Sequence, residues 1–102
     1  MITLDQYVRP HPDVVDTELD GHETVLLNLK SKIYYTLNST GTQIWQGFRN
    51  HLTLRQISNR LVKEFIVEAD AADRSVLSLV DELCRQELAE IAGFEQPAGS
   101  SR

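Results

Sequence analysis

Alternating apolar and polar positions in the first third of the chain predict β-strands. Two such segments flank Asp20-Gly21, a pair typical of a two-residue hairpin turn. With Leu19 opposite His22, the pairing places one apolar set on the expected core face. This set is Val14, Val25, Leu27 and Leu29. Asp16 lies on the same face and is a carboxylate within an otherwise apolar set.

The segment from Ile33 to Leu37 is rich in strand-forming residues and predicts a third strand. A three-residue connection before it would turn Ile33, Tyr35 and Leu37 to the core, and Tyr34 and Thr36 away from it. A two-residue connection would exchange the two faces, because side chains alternate along a strand.

After the third strand the apolar spacing changes to that of helices. Asn38 is suited to cap a first helix, whose buried stripe would hold Ile44, Trp45 and Phe48. A second helix is predicted from a capping box formed by Thr53 and Gln56, with Leu52 against Ile57 as a hydrophobic staple. Its apolar stripe is Leu54, Ile57, Leu61 and Phe65.

A third helix is predicted from about Asp70 to Ile91, with Gly93 placed to cap it. Its apolar arc covers roughly 180°, wider than one packing face requires. The arc contains, in order around the axis, Leu79, Leu83, Val76, Val80, Cys84, Leu77 and Leu88. The edge formed by Leu77, Cys84 and Leu88 either packs on another helix or lines a groove open to a partner.

These elements predict an α+β, winged-helix-like fold, in which a three-stranded antiparallel sheet is followed by three α-helices. The length of 102 residues fits one domain. We expect a flexible N-terminus over residues 1–9, a folded domain over 10–92 and a disordered tail over 93–102.

The composition, 41% hydrophobic and 25% charged, is that of an ordinary globular protein. No apolar stretch is long enough to predict a signal peptide or a membrane helix. Cys84 is the single cysteine and has no intrachain disulfide partner, so we expect a cytoplasmic protein. Its position in an apolar stripe favours an inert, buried thiol over a nucleophile.

No group of residues predicts an active site, a cofactor site or a metal site. His11, His22 and His51 lie in separate segments without the spacing of metal ligands. The five glycines form no phosphate-binding loop, and the carboxylates are typical of solvated helix surface. We therefore expect a protein that is not an enzyme and that carries no cofactor.

Charge is unevenly distributed, with net charges of −5 over residues 1–23, +6 over 24–63 and −6 over 64–102. The basic middle fits nucleic acid, an acidic peptide, or a solvated surface attracted to the acidic flanks. The third helix disfavours DNA, because residues 70–91 carry a net charge of −4 that phosphate would repel. We expect neither a nucleic-acid nor a membrane partner.

A series of short segments also matches one known family in order and spacing. The segments are Leu29-Lys30-Ser31, Tyr35, Leu37-Asn38, Gly41, Ile44-Trp45, Thr53 to Ile57, Phe65 to Val67 and Val76 to Leu83. On these residues the chain, over roughly residues 8–91, resembles the PqqD-like peptide-modification chaperones. Members of that family are recognition elements for the precursors of ribosomally made, post-translationally modified peptides.

The resemblance implies that the chain binds a leader peptide and presents it to a modifying enzyme, such as a radical-SAM enzyme or a lasso-peptide leader peptidase. It implies that the leader adds as a strand beside the third strand and lies against the third helix. The peptide-binding residues that it implies are Lys32, Ile33, Tyr34, Tyr35, Thr36, Leu37, Val76, Leu77, Val80, Leu83 and Cys84. Lys30 and Lys32 would attract acidic leader residues.

Two residues depart from the family pattern. Lys32 stands where glycine is common, so a left-handed backbone there would cost roughly 1 kcal/mol, or else the turn differs. Glu87 replaces a frequent glycine near the end of the third helix, so we expect that helix to continue through Leu88 and Ile91.

Two other functions remain compatible with the predicted fold. One is a winged-helix DNA-binding regulator, which the acidic third helix disfavours. The other is a self-associating structural module, such as a homodimer that pairs its own third strands.

Overall fold

The computed structural model describes residues 2–20, 22–65 and 67–94. Its elements are β1 (Gln6–Pro10), β2 (Val14–Leu19), β3 (Glu23–Asn28), β4 (Tyr34–Leu37), α1 (Ser39–Arg49), α2 (Leu54–Phe65), α3 (Ala69–Arg85) and β5 (Ala89–Phe94). Strands β2, β3 and β4 form an antiparallel sheet in that order, and β1 pairs with β5 in a second sheet. The α+β fold with three antiparallel strands before three helices is thus confirmed.

The predicted register of β3 is wrong by one residue against both of its neighbours. Leu19 pairs with Glu23 rather than His22, and Asn28, not Leu29, pairs with Ile33. Each connecting loop is therefore one residue longer than predicted. Because side chains alternate, β3 turns the opposite face to the core from the one we expected. Gly21, the second residue of the predicted turn, lies outside the described residues.

The core face of β3 contains two polar residues, each of which has a hydrogen-bond partner. The Thr24 and Thr42 hydroxyl oxygens lie 3.0 Å apart, which joins β3 to α1. The Asn28 amide nitrogen donates to the Glu87 carbonyl at 2.8 Å. The hydrogen-bond partners lie in distant segments, so the sequence pattern did not reveal that these polar residues could be buried. It assigned the apolar Val25 and Leu27 to the core face instead, and both are only half-buried.

The faces predicted for β4 are confirmed at its strand residues. Leu37 is buried and Tyr35 is half-buried, whereas Tyr34 is 70% exposed and Thr36 is exposed. Ile33 precedes the strand and remains 38% exposed, so it does not join the core as expected.

Asp16 joins the β2–β4 sheet to α1 and explains why a carboxylate lies on the core face. The Trp45 indole nitrogen donates to the Asp16 carboxylate at 2.6 Å, and an Arg49 nitrogen donates to it at 3.0 Å. The Trp45 side chain is buried and meets the Phe48 ring edge-on, with 5.7 Å between the ring centroids. The prediction that Trp45 anchors the core is correct.

The helix starts agree with their predicted caps. The Asn38 side chain accepts a hydrogen bond from the Gly41 backbone N–H at 2.8 Å. Before α2, the Thr53 and Gln56 side chains each accept a hydrogen bond from the other residue's backbone N–H, which completes the capping box. Leu54, Ile57 and Leu61 of the predicted stripe are buried, whereas Phe65 is exposed.

The end of α3 differs from the prediction, because the helix stops at Arg85 instead of continuing to Ile91. Glu87 takes a left-handed backbone with φ 60°. The backbone N–H groups of Glu87 and Leu88 donate to the Cys84 and Leu83 carbonyls, at 3.1 and 2.8 Å. This is a Schellman cap with glutamate in the place of glycine, and it buries Leu88 beneath the turn.

The chain continues from this cap into β5, which was not predicted. β5 pairs with β1, so residues 6–9 form part of a paired strand and do not fit the expected flexible N-terminus. Gly93 lies within β5 and caps no helix. Residues 95–102 of the predicted tail lie outside the described residues. Short apolar segments such as these become strands only when they meet each other, which local patterns do not reveal.

We expect Asp16→Ala to lower the free energy of unfolding by about 1–3 kcal/mol, because it leaves the buried Trp45 N–H without its acceptor. Urea denaturation followed by the fluorescence of the single tryptophan measures the change. Glu18→Ala is the control, since it removes only the exposed bond to Gln46 and should change stability by less than about 0.5 kcal/mol. Equal effects of the two variants would contradict the proposed role of Asp16.

Candidate functional site

Strand β4 has one open edge. The Asn28 backbone N–H donates to the Ile33 carbonyl at 2.9 Å, so Ile33 and every second residue after it bond to β3. The backbone N–H and C=O groups of Tyr34 and Thr36 consequently point away from the sheet. Among the residues that the structure describes, no strand pairs with this edge. An open edge of this kind can accept another extended chain.

A groove of about 480 Å³ lies between this edge and α3. Its strand side and floor come from β4 and the start of α1, and its other wall from one stripe of α3. The first side is formed by Tyr35, Thr36, Leu37, Asn38, Thr40, Gly41 and Ile44. The α3 stripe, referred to below as the helix wall, is formed by Ser75, Ser78, Leu79 and Glu82. The helix wall is therefore mostly polar.

Helix α3 runs antiparallel to β4 along the groove. At one end Ser75 and Thr40 share a second, smaller cavity, which places the start of the helix wall beside α1. At the other end Glu87 bonds to Asn28, the residue that pairs with Ile33 just before β4. Glu82 therefore lies toward the beginning of β4, and Ser75 toward its end.

The structure brings only part of the predicted peptide-binding set to the groove. Tyr35, Thr36 and Leu37 line it, and Tyr34 shares the open edge with Thr36. The predicted residues of α3 do not line it. Val76, Val80 and Leu83 are fully buried in the core, and Leu77 and Cys84 are half-buried outside the groove lining.

The apolar edge that we predicted on α3 does not coincide with the groove. The centre of the apolar arc packs into the core, and the groove lies on the side of Leu79. Ser75, Ser78 and Glu82, which extend that side, were missed because their polarity suggested ordinary solvated surface. Their spacing of three to four residues was the available signal, since it puts them on one stripe.

The turn before β4 keeps the left-handed backbone that the family pattern suggested. Lys32 has φ 68°, although it is not glycine. Asn28 holds the turn, because its side-chain oxygen accepts the Lys30 and Ser31 backbone N–H groups at 2.9 and 3.0 Å. The Lys32 backbone N–H donates to the Asn28 carbonyl at 2.8 Å. This turn sets the position at which the open edge begins.

Cys84 has the properties of a structural cysteine. Burial raises the pKa of the Cys84 thiol, and the nearby Asp81 and Glu90 carboxylates raise it further. A raised pKa reduces the thiolate fraction at neutral pH and so disfavours nucleophilic chemistry.

The described residues contain neither a metal-ligand cluster nor a membrane-spanning helix. Over residues 2–20, 22–65 and 67–94, no group of three or more His, Cys, Asp or Glu side chains could hold a metal ion. In the same part of the chain, no helix combines the length and apolar character that crossing a membrane requires.

Comparison with known proteins gives one family and two similar structures. The family described as Coenzyme PQQ synthesis protein D (PqqD) matches residues 23–89. A structure of TbiB1 in complex with the TbiA(beta) leader peptide has a TM-score of 0.75 and 24% identity, and covers 86% of this chain and 99% of the other. A lasso peptide synthetase B1 complexed with the leader peptide has a TM-score of 0.75 and 28% identity, and covers 81% and 96%. No curated protein sequence matches.

We expect Lys32→Gly to raise the free energy of unfolding by about 0.5–1 kcal/mol, because relief of the left-handed backbone exceeds the entropic cost of glycine. The matched control is Lys30→Gly, which removes the same charge where the backbone is not left-handed. It should lower stability by about 0.5–1 kcal/mol. Urea denaturation of both variants measures the difference, and a change of the same sign in both would refute the interpretation.

We expect the Cys84 thiol to react with a disulfide reagent at pH 8 at least about tenfold more slowly in the folded chain than in the urea-unfolded chain. The reason is its raised pKa together with its partial burial. The reaction rate should also rise at higher pH in the folded chain. Equal rates, or a faster folded reaction, would contradict a structural role.

Proposed function

The chain belongs to the PqqD family, and from that membership we propose that it binds the leader segment of a ribosomally synthesised precursor peptide and presents it to the enzyme that modifies that peptide. The observation that carries the proposal is the open edge of β4 beside the groove on α3. The two similar structures support it, because each is a complex with a leader peptide.

The leader adds as a fourth strand to the β2–β4 sheet. The outward N–H and C=O groups of Tyr34 and Thr36 bond to its backbone, which makes part of the affinity independent of leader sequence. Lys32 and Ile33 lie immediately before these residues and contact the same end of the added strand. The Tyr34 side chain is exposed on the outer face, where it can cover a leader side chain.

Selectivity comes from the leader side chains that point into the groove. On the added strand, every second side chain lies on the same face as Tyr35 and Leu37 and meets the helix wall. Leu79 is the partly exposed apolar side chain of that wall and fits an apolar leader residue. Val76, Val80 and Leu83 support this wall from the core without touching the peptide.

The turn before β4 adds an electrostatic contribution to binding. Lys30 and Lys32 are exposed there, and we propose that they attract acidic residues of the leader outside the groove. Because exposed charges are screened by salt, they act mainly on the association rate.

The chain recruits the precursor and carries out no reaction of its own. The modifying enzyme, whether a radical-SAM enzyme, a leader peptidase of the lasso-peptide type or another catalyst, supplies the chemistry. Binding would take place in the cytoplasm, where ribosomes release the precursor.

The open edge also favours one alternative, a homodimer in which two copies pair their β4 strands. In that arrangement the leader would compete with the second copy for the same edge. Light scattering with and without the leader distinguishes the two functions, because leader binding requires only one copy of the chain.

We expect Thr36→Pro to weaken leader binding at least about tenfold, because proline removes an outward N–H and places its ring on the binding edge. The probe is the fluorescently labelled leader of the precursor peptide encoded beside this chain's gene, titrated by anisotropy. Glu18→Pro is the control, since alternation along β2 directs its N–H to the opposite edge of the sheet.

The tryptophan fluorescence of each variant verifies that it is folded. Undiminished leader binding by folded Thr36→Pro, or an equal loss with Glu18→Pro, would refute β-strand addition at β4.

A further inference from the structure

The groove contains one charged side chain among the described residues that line it. This residue is Glu82, which ends the helix wall nearest the beginning of β4. The remaining lining residues are apolar, hydroxyl-bearing or amide side chains, together with Gly41. A carboxylate beside an otherwise neutral groove distinguishes leader residues by their charge.

Glu82 is not neutralised by the groups around it. It is half-buried and accepts one long hydrogen bond, from the Gln86 side-chain nitrogen at 3.4 Å. Arg85, three residues further along α3, pairs with Asp81 at 3.1 Å. Within the described part of the chain, Glu82 takes part in no ion pair.

The helix wall and an added strand have compatible spacings. Leu79 and Glu82 are three residues apart on α3, which separates them by roughly 4.5 Å along the helix axis. Inward side chains of an added strand recur every two residues, or roughly 6.8 Å. The difference of roughly 2.3 Å is within the reach of long, flexible side chains. One inward leader side chain can therefore rest on Leu79 while the next inward one reaches Glu82.

We propose that the leader carries a lysine or arginine opposite Glu82, two residues from an apolar side chain that packs on Leu79. This inference rests on the proposed leader binding and specifies the substrate of that same site. The apolar residue anchors the leader in the groove, and the cation completes the pairing that Glu82 lacks in the free chain. Glu82 is thus a specificity-determining residue.

The exposed lysines of the turn act on a different part of the leader. Lys30 and Lys32 lie before β4 and outside the groove lining, so acidic leader residues attracted by them lie at or beyond the end of the added strand and not in the groove. An acidic residue pointing into the groove would instead be repelled by Glu82. The lysines of the turn therefore favour acidic leader residues outside the groove, whereas Glu82 favours a basic leader residue in it.

A random library of strand-length peptides displayed on phage is the probe, selected on the full chain. We expect the enriched sequences to share an apolar residue and, two positions away, lysine or arginine. Selection on Glu82→Gln should lose the basic residue and keep the apolar one, and selection on Glu82→Lys should replace the basic residue by an acidic one.

A double-mutant cycle on one enriched peptide isolates the pair. Glu82→Gln should weaken the binding of that peptide about fivefold and leave the binding of its Lys→Gln analogue unchanged. High salt should reduce the difference between the two peptides. Glu68→Gln changes the net charge equally but lies roughly 20 Å away along α3, and it should have no effect.

The two hypotheses fail in different ways. Enriched peptides that lose binding with Thr36→Pro but show no charge preference at any position would overturn the role of Glu82 and leave leader binding intact. Peptides whose binding is insensitive to Thr36→Pro, or a library that yields no binders, would overturn β-strand addition itself. An acidic consensus on the unaltered chain would also overturn the role of Glu82.

Discussion

Strand β3 is hydrogen-bonded along both edges, and its register determines which side of the sheet meets the helices. Leu26 lies between Asp16 and Tyr35, and all three side chains face the helices. On the same face Thr24 bonds to α1 and Asn28 to the turn after α3. A shift by one residue would break both bonds and turn every side chain of β3 over. The position of β4, and with it the open edge, depends on this register.

Two left-handed residues other than glycine lie at the end of the groove where β4 begins. Lys32 closes the turn before β4, and Glu87 closes the Schellman cap after α3. Asn28 connects the two turns. Its side-chain oxygen accepts the Lys30 and Ser31 backbone N–H groups, and its side-chain nitrogen donates to the Glu87 carbonyl. A single amide thus links the turn before β4 to the turn after α3, in addition to the packing of α3 in the core. Each left-handed residue costs stability, and the hydrogen bonds around it offset that cost.

The proposed binding mode has two separate sources of peptide recognition. Backbone groups of Tyr34 and Thr36 can bind any extended chain, so on their own they confer little selectivity. In the proposed complex the helix wall would add discrimination through Leu79, by fitting an apolar side chain, and through Glu82, by disfavouring negative charge. A recognition protein for one precursor needs both, because affinity from backbone pairing alone would extend to unrelated strands.

Local elements whose signals lie within a few residues could be predicted from the sequence. These include the Asn38 cap, the capping box at Thr53 and the faces of β4, because each depends on neighbouring side chains and on strand or helix period. The register of β3, the end of α3 and the pairing of β1 with β5 depend on long-range packing and could not be predicted in this way. The contacts that set them join residues far apart in sequence, as in the bond between Asn28 and Glu87. The helix wall is also set by such long-range contacts, since the packing of α3 against the core decides which of its stripes faces β4.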